Sequence, residues 1–302
     1  MLSGLIGVVP PSTVTAVVNT GDDTVLHGLH ISPDLDTVTY TLAGMDNRQT
    51  GWGVAGETWT VMDALAELGG ESWFRLGDRD LATHLYRTER LGAGATLSEV
   101  TAEIAARRHI GVHLCPMTDD PVRTRLTLAE ATELGPAGTE VGFQDYFVRL
   151  HHGVAVRSVR FAGAESARPA PGVLDALAQA ERIVVCPSNP IVSIGPLLAV
   201  PGILAALAPR RDDVVAVSPI IAGAALKGPA DRLMAELGAE ASVVGVARLY
   251  APWVGTLVVD EADRSHAAAV EAEGVRCVVA PTIMDSPGRA AALARVVIRT
   301  YD

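Results

Sequence analysis

The sequence predicts an α/β protein: a doubly wound, mostly parallel Rossmann-like sheet with a smaller inserted α+β region. From residue 171 onward, short apolar β-like runs alternate with segments of helical spacing, the pattern of a parallel sheet covered on both faces. Near the start, Val14-Thr15-Ala16-Val17-Val18 is bounded by Pro10-Pro11 and Asn19-Thr20-Gly21, so it reads as a buried strand ending in a turn.

The elements follow in order. Residues 60–69, 78–92 and 97–108 have the spacing of helices, the first two with glycine near their ends. Residues 122–163 contain three β-like runs interrupted by a Gly/Pro loop at 135–138, which marks a smaller element. Beyond it the expected order is helix 172–180, strand 182–186, helix 196–207, strand 213–218 and helix 229–238. Strands 243–247, 256–260 and 276–280 then lead to a final helix over 287–300. Residues 1–90 and 164–302 are assigned to the Rossmann-like core and 91–163 to the inserted region.

A chain of 302 residues with 49% hydrophobic and 20% charged residues has the composition of a compact enzyme or binding protein. Its formal charge of -11 argues against a nucleic-acid backbone as main partner, while leaving room for anionic small ligands at a local arginine or metal site. Lys227 is the only lysine, so a P-loop lysine is not expected. Cys115, Cys186 and Cys277 form no CxxC motif, which fits a reduced, cytoplasmic setting. The opening MLSGLIGVVPPS lacks the basic flank of a signal peptide, and no apolar run reaches membrane-spanning length.

The densest chemistry lies in residues 18–37, VNTGDDTVLHGLHISPDLDT. Asp22 and Asp23 follow the first strand, where open α/β sheets place their ligands. Asp34 and Asp36 alternate by two behind Ser32-Pro33; on an extended backbone both carboxylates would point the same way. Any one of the four serves equally well as a turn former or helix cap, but confined carboxylates repel unless a cation or protons compensate.

A second constellation, Cys186-Pro187-Ser188-Asn189-Pro190 with Ser193-Ile194-Gly195-Pro196, joins a strand end to a helix start. Backbone N–H groups there, with Ser188, Asn189 and Ser193, suit a phosphate; plain helix capping explains them as well. Ser218-Pro219 after the next strand is placed on a neighbouring wall of the same crevice. In Gly77-Asp78-Arg79-Asp80-Leu81-Ala82-Thr83-His84, Asp78 fits an N-cap and Arg79 a phosphate or Asp80. His84, four residues after Asp80, reads more readily as a structural histidine than as a catalyst. Trp52, Glu57, Thr58 and Trp59 supply either a flat wall for a planar ligand or core.

The strings NTGDD, HISPDLDT, GWGVAGETW, LGDRDLATH, CPMTDDPVRT, FQDYFV, PSNPIVSIGP and VSPIIAGAALKGPA occur in this order. Together they resemble the 2-phospho-L-lactate transferase family (CofD/FbiA) of deazaflavin coenzyme biosynthesis, over nearly the whole chain. The resemblance implies transfer of a phospho-acid from a guanosine diphosphate donor to the deazaflavin alcohol Fo, with release of GMP and a requirement for Mg2+. The arginine-rich, lysine-poor composition is similar to the actinobacterial type of the family, and that resemblance implies guanylylated phosphoenolpyruvate, with guanylylated phospholactate as the alternative donor.

Carried over by motif, Asp34 and Asp36 stand beside the Fo hydroxyl and the metal, with Asp36 as the carboxylate that orients or deprotonates the alcohol. Asp22 and Asp23 lie nearby, Asp78, Arg79 and Trp59 serve the acceptor side, and Ser188, Asn189 and Ser193 hold the guanosine diphosphate. A cytoplasmic homodimer is expected. The family pattern also begins with a strand and a GGxGG-type loop before the helix that MLSGLIGVVP continues, so the upstream reading frame is expected to encode them. Alternative readings are a CofD-like regulatory nucleotide-sugar-binding protein and an inactive truncated homologue.

Overall fold

The computed structural model describes residues 1–47 and 52–299. The chain opens with helix α1 (Leu2–Leu5) and strand β1 (Thr15–Val18), followed by an antiparallel hairpin of β2 (Thr24–Leu26) and β3 (Leu29–Ile31). Helices α2 (Pro33–Leu42), α3 (Thr60–Glu67), α4 (Asp78–Gly92) and α5 (Leu97–Arg107) lead to β4 (His113–Pro116), which pairs parallel with β1. β5 (Arg123–Leu128), β6 (Glu140–Gly142) and β7 (Val156–Ala162) form a three-stranded antiparallel sheet with β5 central. Thus α5 and β4, although within 91–163, pack with β1 and its surroundings. The antiparallel sheet shares a core with Val192 and Leu233 of the second half.

The second half builds the main sheet. Helix α6 (Val173–Gln179) precedes β8 (Ile183–Val185), and α7 (Gly195–Ala199) and α8 (Ile203–Leu207) connect it to β9 (Val214–Val217). A two-stranded hairpin, β10 (Ile220–Ile221) and β11 (Ala224–Ala225), is followed by α9 (Ala230–Glu236) and α10 (Val243–Tyr250). Then come β12 (Thr256–Val259), α11 (Ala267–Ala272), β13 (Arg276–Val279) and α12 (Pro287–Arg299). The four strands run parallel in the order β13-β12-β9-β8. Every residue of β9 and β12 is buried, which explains why they read as continuous apolar runs. One sheet face is covered by Ile203, Leu207, Met234, Val246 and Trp253, the other by Leu5, Leu293, Ala294 and Val297. That two-sided cover is the doubly wound α/β arrangement expected from the alternation.

Several local expectations are corrected. Residues 243–247, expected as a strand, are the start of α10. The Ser242 hydroxyl caps it by accepting from the N–H groups of Val244 and Gly245, and because residues 243–247 are all buried, no polar stripe marks them as helical in the sequence. The helix expected over 196–207 is two short helices whose parts lie 89° apart, because Pro201 cannot continue the hydrogen-bond ladder. In the run 139–151 only Glu140–Gly142 is strand; Asp145–Arg149 closes into a wide helical turn. The last helix is described to Arg299, and residue 300 lies outside the described residues, as do 48–51. No single helix among the described residues is long and apolar enough to cross a membrane.

Asp260, just after β12, ties this strand end to the next. Its Oδ1 accepts from the Ala262 N–H, and its Oδ2 from the N–H and the hydroxyl of Thr282. Burial pushes its carboxyl up, but these hydrogen bonds outweigh it and hold the group below the usual carboxylate range. The depressed value means that this stabilisation is present above the unfolded-state pKa and is lost as pH falls through the folded one. Asp260→Ala is expected to cost about 1–3 kcal/mol at pH 7, with the difference from wild type shrinking in acid-denaturation curves. An unchanged urea midpoint at pH 7 would refute it.

Candidate functional site

A cavity of about 850 Å³ opens beyond the carboxyl ends of the parallel strands, where the crevice of an open α/β sheet lies. Asp22 after β1, Ser188 and Asn189 after β8, Ser218 after β9 and Thr282 after β13 all line it, together with Asp34 and Asp36. The loops after β8, β9 and β13 converge because each strand of the four-stranded parallel sheet delivers its following loop to the same end, and Asp22 joins them from the end of the separate β1-β4 pair. The close meeting of the loops after β1 and β8 depends on Gly21: a Cβ there would stand 2.8 Å from Pro196 and 2.9 Å from the Thr124 hydroxyl.

The acidic residues are held differently from the expected extended pair. Pro33 at the first turn makes residues 33–42 helix α2, so Asp34 and Asp36, two apart, do not face each other. Asp34 turns to the β1 end, where its Oδ2 accepts from the Asn19 amide at 2.9 Å; the Asn19 oxygen accepts from the Gly21 N–H at 2.8 Å. Burial, then the neighbouring Asp34 charge, push the Asp22 carboxyl well above its usual range, and burial also raises Asp34. Burial pushes Asp23 up to about 7 against the Ser32 hydroxyl, which donates to it at 2.7 Å. Asp23 lines an adjoining chamber instead of the main cavity.

Asp36 belongs to a second network built on α4. The buried Arg87 guanidinium grips it with both Nη atoms, Nη1 donating to Oδ2 at 3.1 Å. His84, also buried, lies with Nδ1 3.6 Å from Asp36 and Nε2 3.3 Å from Asp80, while the Tyr40 hydroxyl donates to Asp80 at 2.5 Å. Burial works against the Asp80 charge, but His84 and Tyr40 hold its carboxyl below the usual range. Asp80, His84 and Tyr40 line the cavity as well. Their helical i,i+4 spacing was visible in the sequence; their partners Asp36 and Arg87 were not paired with them by any spacing.

The metal expectation can be tested against this chemistry. Buried Thr20 Oγ1, Asp22 Oδ1 and Asp23 Oδ1 make no hydrogen bond within the protein, and they are hard oxygen donors beside a repelling carboxylate pair. These residues fit a magnesium ion, with Asp22 and Asp34 as its carboxylates. Asp34 with Asp36 fits less well, because Arg87 already neutralises Asp36. Asp36, Asp80 and His84 also offer ligand atoms within 4.8 Å of one another. An ion there would confront the buried guanidinium, and this cluster is read as a hydrogen-bonded charge network.

On the opposite wall, the Asn189 oxygen accepts from the N–H groups of Ile191 and Val192, so Asn189 is a helix cap as well as a lining residue. Ser188 and Ser193 line the same cavity. Asp78 and Arg79 are not brought to the cavity. The Asp78 carboxylate receives the Thr58 hydroxyl and the N–H groups of Thr60 and Val61, capping α3. Glu57 returns the favour at α4, accepting from the N–H groups of Arg79 and Asp80, and the Arg79 guanidinium donates to the Ala55 carbonyl. Asp78 therefore caps the neighbouring helix, which spacing within its own helix could not show. Glu57→Ala is expected to lower stability by about 1 kcal/mol, read as a urea midpoint shift with unchanged slope; no shift would sink this cross-cap.

Trp59 packs edge-on against Trp52 and under Arg75, and does not line the cavity. Trp52 does, with Trp73, Phe74, Phe143 and Phe147, so the apolar wall is assembled from three separate stretches. The Phe143 and Phe147 rings stack at 5.3 Å.

A family model described as 2-phospho-L-lactate transferase CofD matches residues 1–297. A phosphoenolpyruvate transferase of Kitasatospora aureofaciens is 46% identical over 300 residues, covering 98% of this chain and 92% of the relative. One of Streptomyces griseus is 46% identical over 297 residues, covering 97% and 92%. A crystal structure of a UPF0052-family protein from Bacillus halodurans shares the fold, with a TM-score of 0.58 at 14% identity, covering 99% of this chain and 95% of that one. With the match running almost end to end, the chain belongs to the CofD 2-phospho-L-lactate transferase family.

Proposed function

We propose that this protein is a magnesium-dependent transferase of coenzyme F420 biosynthesis that moves the phosphoenolpyruvyl group of a guanosine diphosphate donor onto Fo. The observation that carries the reading is the composition of one cavity. It joins an acidic pair, Asp22 and Asp34, to the Ser188–Ser193 turn and to an aromatic wall, in a cavity of about 850 Å³. The enolpyruvyl donor is preferred to the lactyl one because the relatives at 46% identity are phosphoenolpyruvate transferases.

In this reading the Ser188 and Ser193 hydroxyls and the backbone N–H groups of their turn hold the diphosphate, and Trp52, Trp73 and Phe143 flank the deazaflavin. The Fo primary hydroxyl attacks the phosphorus bearing the enolpyruvyl group; the bond to the GMP oxygen breaks and GMP leaves with that electron pair. A carboxylate accepts the hydroxyl proton. Asp36 is poorly suited to that role, since Arg87 occupies its oxygens. When bound between Asp22 and Asp34, magnesium would offset the charge of the phosphates.

The test incubates the protein with Fo, magnesium and either phosphoenolpyruvyl- or lactyl-diphosphoguanosine, following GMP release and product mass. Dehydro-F420-0 from the enolpyruvyl donor is the expected product. A lactyl product alone would replace the donor, and no product from either, with binding of a nucleotide-sugar instead, would favour the regulatory reading.

A further inference from the structure

Beside the main cavity lies a second chamber of about 430 Å³, and Asp22, Trp73, Phe143 and Gln144 line both, so the two adjoin at Asp22. The Gln144 amide donates to the Asp22 carbonyl at 2.9 Å and fixes this partition. Arg123 and Arg125 line the chamber. They alternate along β5, so they share the face opposite to buried Thr124, Leu126 and Leu128.

The state of these guanidinium groups sets them apart from the other arginines of the same sheet. Arg160, paired in register with Arg125, is neutralised by Glu140 through two hydrogen bonds of 2.6 Å. Arg125 makes no hydrogen bond and no ion pair among the described residues, and the one side-chain bond of Arg123 goes to the carbonyl of its neighbour Val122. Gly142 lines the chamber beside Arg125, and a Cβ there would touch the Arg125 Nη1 at 3.5 Å and crowd the Asp145 carboxylate at 3.2 Å. The carboxyl groups of Asp22, Asp23 and Asp145 also line the chamber, but none forms an ion pair with Arg123 or Arg125 among the described residues, so both forks keep donors for a planar anion such as a carboxylate.

We propose that this chamber is the subsite for the carboxylate-bearing arm of the donor acid, with Arg125 as its principal ligand and Arg123 as its second. The inference rests on the transferase reading and deepens it. A donor whose reacting phosphorus lies by Asp22 carries its carboxylate on the carbon next to the ester oxygen, which puts it at the opening of the chamber. Guanosine diphosphate itself has no such group, so the chamber recognises the acid and the Ser188–Ser193 turn recognises the nucleotide.

The test compares Arg125→Gln, Arg125→Lys and the Arg123→Gln/Arg125→Gln pair with wild type, using phosphoenolpyruvyl-diphosphoguanosine, Fo and magnesium. Losing a charged hydrogen-bond partner is expected to raise the donor KM about 10- to 100-fold in Arg125→Gln, with partial recovery in Arg125→Lys. The KM for Fo and the affinity for guanosine diphosphate, titrated calorimetrically in the same preparations, stay within about twofold. An unchanged donor KM in an otherwise active protein overturns the subsite alone. A parallel loss of guanosine diphosphate affinity does so too, because it places Arg125 on the nucleotide. Absence of turnover in wild type with every donor overturns the transferase reading, and the subsite with it.

Discussion

Replacing Arg87 by Met should destabilise the protein by about 3–5 kcal/mol, because it leaves Asp36 buried without its cation. The guanidinium is itself buried, and although burial disfavours its charge, Asp36 holds its pKa above the ordinary arginine value. Two Nη contacts to one carboxylate make the pair a single unit whose halves cannot be removed separately. Urea denaturation of Arg87→Met measures the loss. The double variant Arg87→Met/Asp36→Leu should recover much of it, since a buried ion pair can be exchanged for apolar volume. Recovery of stability is expected without recovery of activity, because Asp36 also forms part of the cavity wall. A single variant as stable as wild type would contradict the coupling.

Asp22→Asn should have the opposite effect on the metal-free protein and the larger effect on turnover. Asp22 and Asp34 are confined together with no arginine or lysine in ion-pair contact, so removing one charge relieves repulsion and raises the thermal midpoint in the presence of a chelator. Transfer activity should fall on the order of 10²–10³-fold, the scale for losing charge stabilisation at a phosphoryl transfer. Wild type should gain about 2.7 kcal/mol when magnesium is 100-fold above its dissociation constant, and Asp22→Asn far less. Equal magnesium responses in both proteins would show that Asp22 is not a ligand.

Much of the site could be read from residue order alone. The alternation after residue 171 gives parallel strands, and parallel strands bring their following turns to one end; hence Ser188, Asn189 and Ser218 line one cavity, which Asp22 reaches from the end of the separate β1-β4 pair. Local spacing gave less for Asp34 and Asp36, because Pro33 is compatible both with an extended stretch and with the first turn of a helix. Asp78, Arg79 and Trp59 were grouped with the site by motif, whereas the fold uses them to cap and brace α3 and α4. Val243–Tyr250 misled for a related reason. Residues 243–247 are all buried and so carry no polar stripe, and the capping Ser242 is then the only local sign of helix.

The sequence by itself determined the parallel α/β architecture, the acidic turn after the first strand and the polar turn after β8, because each is written in contiguous residues with their own periodicity or turn chemistry. Only the tertiary structure decided which carboxylate partners which cation. Asp36 lies far along the chain from Arg87, and Asp22 meets Asp34 only once α2 folds back on β1. It likewise left Arg125 facing a cavity while Arg160, beside it in register, is neutralised by Glu140. Charge pairing is a matter of distance and desolvation in space, and neither is encoded in the spacing of residues along the chain.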